Sequence, residues 1–157
     1  MDSIDIIVSI RKIVRSLNIE SKGLQKDFGL SIPQLLCLGH LENQPHFQST
    51  HKELMEFLSL NSSTITGIIS RLEKRGYVAR LSNSNDRRLK SITLTASGKK
   101  LLDETPNILH DRLSIKLNSL SEEQKNRIKD SLGIIISAMN IKTIDAAPLL
   151  LSGETTD

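Results

Sequence analysis

The chain contains no tryptophan, one tyrosine, three phenylalanines and a single cysteine among its 157 residues. A lone thiol, Cys37, excludes an intramolecular disulfide framework. The few rings, Phe28, Phe47, Phe57 and Tyr77, supply no cage for a planar ligand. No apolar run approaches the ~20 residues that span a bilayer. Residues 1–5 carry acids and no cation, unlike the start of a secretory leader. These absences set the expectation of a reducing, cytoplasmic setting with no membrane partner. Catalytic signatures are missing as well: no glycine-rich phosphate loop, no nucleophile elbow, no motif pairing an acid with a base. Neither an enzyme nor a cofactor is expected. Cys37 and His40 stand three residues apart, and His46, His51 and His110 are scattered. No Cys-x-x-Cys or His-x-x-x-His is present, and a metal site needs three or four converging ligands with supporting carboxylates.

What the chain does have is a biased charge distribution. The net charge is a modest +3. Between residues 71 and 100, however, Arg71, Lys74, Arg75, Arg80, Arg87, Arg88, Lys90, Lys99 and Lys100 are opposed by Glu73 and Asp86 alone. A local excess of this kind suits a polyanion.

Residues 50–76, THKELMEFLSLNSSTITGIISRLEKRG, read as two helices joined by a tight turn. Thr50 and Glu53 form a capping box, and Leu54, Phe57 and Leu58 make one buried stripe. The segment Ser59-Leu60-Asn61 turns, and Asn61 or Ser62 caps the second helix. There Ile65, Ile68, Ile69 and Leu72 recur at core spacing. At about 100° per residue, Ser63, Gly67, Ser70 and Lys74 point the other way, with Thr66 and Arg71 on the flanks. A face reading base edges in a groove wants short donors and acceptors and nearby cations for phosphates. A merely solvated face is richer in Glu–Lys pairs than in Ser, Thr and Gly, which are poorer helix formers.

The remaining segments frame this pair. Residues 2–28 read as a long helix with Ile6, Ile10, Ile13, Val14 and Leu17 on one face, continued by Leu24 and Phe28 and ended at Gly29. Ser31 starts a second helix through a box with Gln34, with Pro33 in its first turn and Cys37 among leucines. His46-Phe47-Gln48 is short for a strand but can pair with a sheet edge. Strands are expected at residues 77–81 and 89–94, with residues 82–86 as the loop between them. Arg87 and Arg88 at the tip of that hairpin suit a narrow minor groove, with Lys90 beside them; Asp86 is placed to pair with an arginine and orient it. Thr95 caps a further helix bearing Leu101, Leu102, Ile108, Leu109, Leu113 and Leu117, which Pro106 bends or breaks near Glu104 and Thr105. Ser121 and Gln124 box a last helix with the stripe Ile128, Leu132, Ile135 and Met139. The tail at Pro148, Leu149, Leu150 and Leu151 is apolar, and residues 152–157 are expected to fray.

The stretch NSSTITGIISRLEKRGYVARLSNSNDRRLKSITLTASGKKLL resembles the MarR family of winged-helix transcription regulators. The specific elements are Asp86-Arg87-Arg88, the following Leu94-Thr95 and the helix end Leu72-Glu73-Lys74-Arg75-Gly76. The motif match spans residues 31–102, and the element order extends over nearly the whole chain. The resemblance implies a mostly α fold with a small β-hairpin wing (α+β): a winged helix-turn-helix lobe at 31–99, flanked by terminal dimerisation helices at 1–30 and 100–157. It implies a homodimer on double-stranded DNA, with recognition helices in successive major grooves about 34 Å apart. By position, Ser62, Ser63, Thr64, Thr66 and Arg71 face the major groove or its phosphates, Arg88 is the wing residue and Asp86 orients it. Repression at a palindromic promoter site, relieved by a small-molecule effector, is the usual outcome. The stretch IRKIVRSLNIESKGLQKDFGLSIPQLLCL also resembles the subgroup that controls osmolyte (ectoine-type) genes.

Two alternatives stand beside this reading. One is a non-specific DNA-coating protein. The other is a metal- or redox-sensing repressor, with Cys37 as the thiol. In the redox branch of the family the reactive cysteine lies in the first helix, whereas Cys37 falls in the second, where a buried inert thiol is expected.

Overall fold

The computed structural model describes residues 3–83, 86–105 and 109–141; the side chains of 83, 86–90, 109 and 110 lie outside that description. The described residues form seven α-helices and a three-stranded antiparallel sheet. They divide into two units, one within residues 3–105 and the other within 109–141.

In the larger unit, α1 (Ser3–Phe28) runs to Gly29, whose φ of +64° lets its amide close on the Gln25 carbonyl. The helix α2 (Ile32–Glu42) begins at the expected Ser31–Gln34 box, with Pro33 in the first turn. It is the central helix: Leu35, Cys37, Leu38 and Leu41 are all buried, and it packs against the elements that follow. A 3-10 turn at Pro45–Phe47 leads into β1 (Gln48–Thr50). The edge pairing expected of His46-Phe47-Gln48 is therefore made by Gln48, Ser49 and Thr50.

The helix pair follows. The first member, α3 (His51–Leu58), starts at the Thr50–Glu53 box, in which the Glu53 carboxylate accepts from the Thr50 amide at 2.7 Å. Its expected stripe needs one correction. Leu54 is fully buried and Leu58 half-buried, but Phe57 is 49% exposed. The Phe57 ring lies 4.3 Å from the His40 imidazole at the rim of the unit, so it covers a polar group rather than filling the core. Ser59 takes the left-handed conformation (φ 52°) that closes the helix, and Leu60 within the turn is buried. The helix α4 (Ser62–Lys74) is capped by Asn61, and Ile65, Ile68, Ile69 and Leu72 are buried as expected. It ends in a Schellman motif: Tyr77 N–H donates to Leu72 O, Gly76 N–H to Glu73 O, and Gly76 has φ +77°.

The strands are longer than the sequence suggests. β2 (Val78–Asn83) and β3 (Asp86–Leu94) leave only residues 84 and 85 between them, so Ser82, Asn83 and Asp86 are strand rather than loop. Sheet order is β1-β3-β2, with Ser49 opposite Ile92 and Arg80 opposite Ile92 on its other side. Polar residues read as loop from composition, but ladder pairing to a neighbouring strand overrides that preference. The helix α5 (Ala96–Glu104), capped by Thr95, stops where Pro106 required. Pro106 and Ile108 themselves fall outside the described residues.

The second unit holds α6 (Leu109–Asn118) and α7 (Glu122–Ala138), the latter opening on the expected Ser121–Gln124 box. Leu113, Ile115, Ile128, Leu132 and Met139 are exposed, and Ile134 reaches 71%. The apolar tail at 148–151 and the end expected to fray at 152–157 lie outside the described residues.

Candidate nucleic-acid interface

The polarity of α4 follows from its sequence period. With the isoleucines and Leu72 turned inward, Ser62, Ser63, Thr66, Ser70, Arg71 and Lys74 are exposed, and Gly67 is half-buried. Thr64 differs from its neighbours: it is half-buried, and its amide donates to the Asn61 cap at 2.9 Å. The hydroxyls on this face are held in defined directions. Ser63 donates to the Asn61 side chain at 2.8 Å. Thr66 donates back to the Ser62 carbonyl at 2.8 Å, and its oxygen lies 3.1 Å from His51 Nε2. With its proton committed to the helix, Thr66 can only accept from the imidazole.

Ser70 carries a contact that helical periodicity could not show. Its oxygen accepts from Arg80 on β2 at 3.0 Å, and the same guanidinium lies 3.1 Å from the Glu73 carboxylate. Arg80 thus ties the wing strand to the exposed face of α4. Neither Arg80 nor His51 emerged from the sequence as a site residue. Arg80 belongs to the cationic run, but strand alternation alone did not say which neighbour it meets. His51 stands at the first position of α3, off any stripe.

On the wing, the expected Arg87 and Arg88 lie on β3 rather than at a loop tip, and Lys90 lies on β3 as expected. Lys90 is opposite Ser82, and between Ser82 and Asn83 the register jumps to Asp86. The two arginines therefore fall in an irregular stretch of strand, the type of bulge that alters twist at a sheet end. The side chains of Asp86, Arg87, Arg88 and Lys90 are outside the described ones, as is the proposed pairing of Asp86 with an arginine.

Beneath the interface a polar chain fixes the start of α3. His40 Nε2 is 3.2 Å from the Ser49 oxygen, which donates to Glu53 at 3.0 Å. The Thr50 amide, followed by the Ser49 and Thr50 hydroxyls, holds the Glu53 carboxyl below its ordinary range. Burial pulls the His40 imidazole below its ordinary value, with the Glu53 charge acting in the other direction. Cys37 is fully buried, and desolvation pushes its thiol up to about 12. Among the described residues no three His, Cys, Asp or Glu side chains gather as metal ligands, and no helix is long and apolar enough to cross a membrane.

A helix pair whose second member turns a hydroxyl-rich face outward, followed by a β-hairpin, defines a winged helix-turn-helix. The model of the MarR family matches residues 30–90. The chain is 30% identical over 112 residues to the HTH-type transcriptional regulator SarZ of Staphylococcus haemolyticus, covering 71% of this chain and 74% of that one. It is 29% identical over 135 residues to the HTH-type transcriptional regulator YfiV of Bacillus subtilis strain 168, covering 86% and 83% respectively. Its fold matches that of Sco3205, a MarR family transcriptional regulator from Streptomyces coelicolor solved in complex with DNA, with a TM-score of 0.63 and 20% identity over 90% of this chain and 92% of that one. The chain belongs to the MarR family of transcriptional regulators.

Proposed function

We propose that this chain is a sequence-specific regulator that binds a palindromic promoter site as a homodimer and represses transcription by occupying it. The observation that carries this reading is the two-sidedness of α4: four buried apolar residues on one side, and on the other exposed hydroxyls flanked by Arg71 and Lys74. Short polar groups bring the helix close to base edges, and the cations reach phosphates. Ser62, Ser63, Thr66 and Ser70 read the major groove, with Thr64 at its margin. Arg87, Arg88 and Lys90 carry the wing to the neighbouring minor groove or its backbone, and Asp86 orients Arg88.

In this reading residues 31–99 are the DNA-binding lobe, and 1–30 with 100–157 are the dimerisation region. The apolar side chains exposed along α1 and α7 support that division, because a single chain leaves them uncovered. A small ligand would relieve repression by altering the spacing of the two DNA-binding lobes. Control of osmolyte genes is a finer reading that rests on the resemblance of residues 10–38 alone. A redox-sensing repressor is disfavoured by the burial of Cys37, since reactivity needs an accessible thiolate.

The test is a titration of the full chain against two duplexes at matched salt, one selected by the protein from a random pool and one scrambled. Specific regulation predicts at least a hundredfold preference for the selected duplex. Equal affinities favour a DNA-coating protein instead.

A further inference from the structure

The end of the α4 motif, Leu72-Glu73-Lys74-Arg75-Gly76, contains a cation that does not face the groove side of the helix. Arg75 is the C-cap of α4. Its guanidinium donates to the carbonyl of Gly29 and, at 3.1 Å, to that of Phe28, the last residue of α1. It also lies 5.0 Å from the centre of the Tyr77 ring and 3.4 Å from the Tyr77 hydroxyl. A planar fork with several fixed N–H donors is suited to bridging two adjacent carbonyls, and lysine is not. The last carbonyls of a helix are unpaired and carry its partial negative charge, so a guanidinium there is favourable twice over.

The receiving end is shaped for this fork. Gly29 has φ +64°, and a Cβ built on it would lie 3.1 Å from Nη2 and 3.3 Å from Nη1 of Arg75. The donating end is equally constrained. The Schellman turn at Gly76 sets the direction of Tyr77, whose carbonyl accepts from Thr95 N–H at 3.1 Å. The Thr95 hydroxyl in turn donates to the Gly76 carbonyl at 2.6 Å. Two helix C-termini, some 46 residues apart in sequence, are thus joined through one side chain.

We propose that Arg75 is a positioning residue that fixes the recognition helix α4 to the end of the long helix α1, and so sets how the two DNA-reading faces of a dimer are spaced. This rests on the DNA-binding reading above. It makes a claim separate from phosphate binding: Arg75 spends its donors on α1 rather than on DNA. Losing it should loosen the geometry between the dimerising helices and the reading helix while leaving the electrostatic attraction to DNA in place.

The experiment compares the full-length wild type with Arg75→Ala and Arg75→Gln on three duplexes. These are the selected site, the same site with two base pairs inserted between its half-sites, and a scrambled sequence. For the wild type the insertion is expected to weaken binding at least tenfold. For Arg75→Ala the insertion penalty is expected to shrink below about threefold, with the dependence of log affinity on log salt unchanged. An unchanged insertion penalty overturns the proposal, since a general loss of stability weakens binding to every spacing alike. A salt slope reduced by about one on all three duplexes also overturns it, because Arg75 would then be a phosphate ligand. Should Arg75→Ala lack the wild-type helical circular dichroism, Arg75→Gln carries the same comparison with the same criteria. A wild type that does not prefer the selected site defeats the DNA-binding reading itself, a result distinct from a wild type that discriminates and an Arg75 variant that discriminates equally well.

Discussion

At the scale of single residues, the exposed face of α4 carries three hydroxyls, of Ser63, Thr66 and Ser70, that are already engaged with their own helix and neighbours. Ser63 is the most exposed to consequence. Its oxygen bonds to the Asn61 cap at the helix start and the residue is exposed, so a carboxylate there points outward without disturbing the core. Ser63→Glu is expected to reduce affinity for the selected duplex at least tenfold through repulsion from phosphates, with the unfolding midpoint nearly unchanged. Anisotropy titration decides it, and unimpaired binding would remove this helix from the groove. His40 makes a different prediction. Burial, the larger influence, lowers its proton affinity below the ordinary value of 6.5. The unfolded chain then binds a proton more readily than the folded one. Stability from this group is therefore complete above about pH 6.5 and is lost as pH falls through the lower folded value. Glu53 adds a second loss further down, below its ordinary 4.5, for the same reason of sign. Thermal unfolding against pH should show a decline below about 6.5 that His40→Asn lacks. Identical profiles for the two proteins would show that the imidazole is not coupled to the fold.

At the scale of elements, most boundaries are written in local chemistry. The capping boxes at Ser31, Thr50 and Ser121 all start helices where their hydroxyl and Glu or Gln spacing placed them, and α5 stops at Glu104, where the break was expected. The core face of α4 was legible because one period of 3.6 runs unbroken from Ile65 to Leu72. What was not legible depends on contacts between distant segments. Phe57 follows the apolar spacing yet stays exposed, because its neighbour across the fold is His40 and not a core leucine. The strand at Gln48–Thr50 is three residues long and exists through its pairing with β3. Arg80 and His51 reach the interface through partners 10 and 15 residues away on other elements, a pairing that the periodicity of a single helix or strand does not encode. The joint between β2 and α5 gives the element-scale prediction. A Cβ on Gly98 would sit 2.2 Å from the Tyr77 carbonyl oxygen and 2.7 Å from Leu94 Cδ1. Backbone cannot yield as a side-chain tip can. Gly98→Ala is expected to cost about 1–3 kcal/mol in urea unfolding. A loss within a few tenths would mean that α5 can shift freely on the wing.

At the scale of the whole molecule, the distribution of apolar surface is uneven. Between Leu30 and Leu94, Leu38, Leu41, Leu54, Ile65, Ile69 and Leu72 are almost completely buried, whereas α1 exposes Ile4 to 61% and Ile13 to 58%, and α7 exposes Ile134 to 71%. Exposed apolar stripes on long helices are the surface that a second copy would cover. A chain ended at Leu120 lacks α7 and is expected to aggregate or lose its folded baseline in sedimentation and circular dichroism. A soluble, stable monomer of that length would contradict the homodimer. Dimerisation and DNA reading meet in one stoichiometry. The most direct measurement is sedimentation equilibrium of the full chain with the selected duplex, in dilute and in physiological salt. Two chains per duplex, with an affinity that falls steeply as salt rises, are expected. A monomer that leaves the duplex unbound even in dilute salt would contradict the central claim.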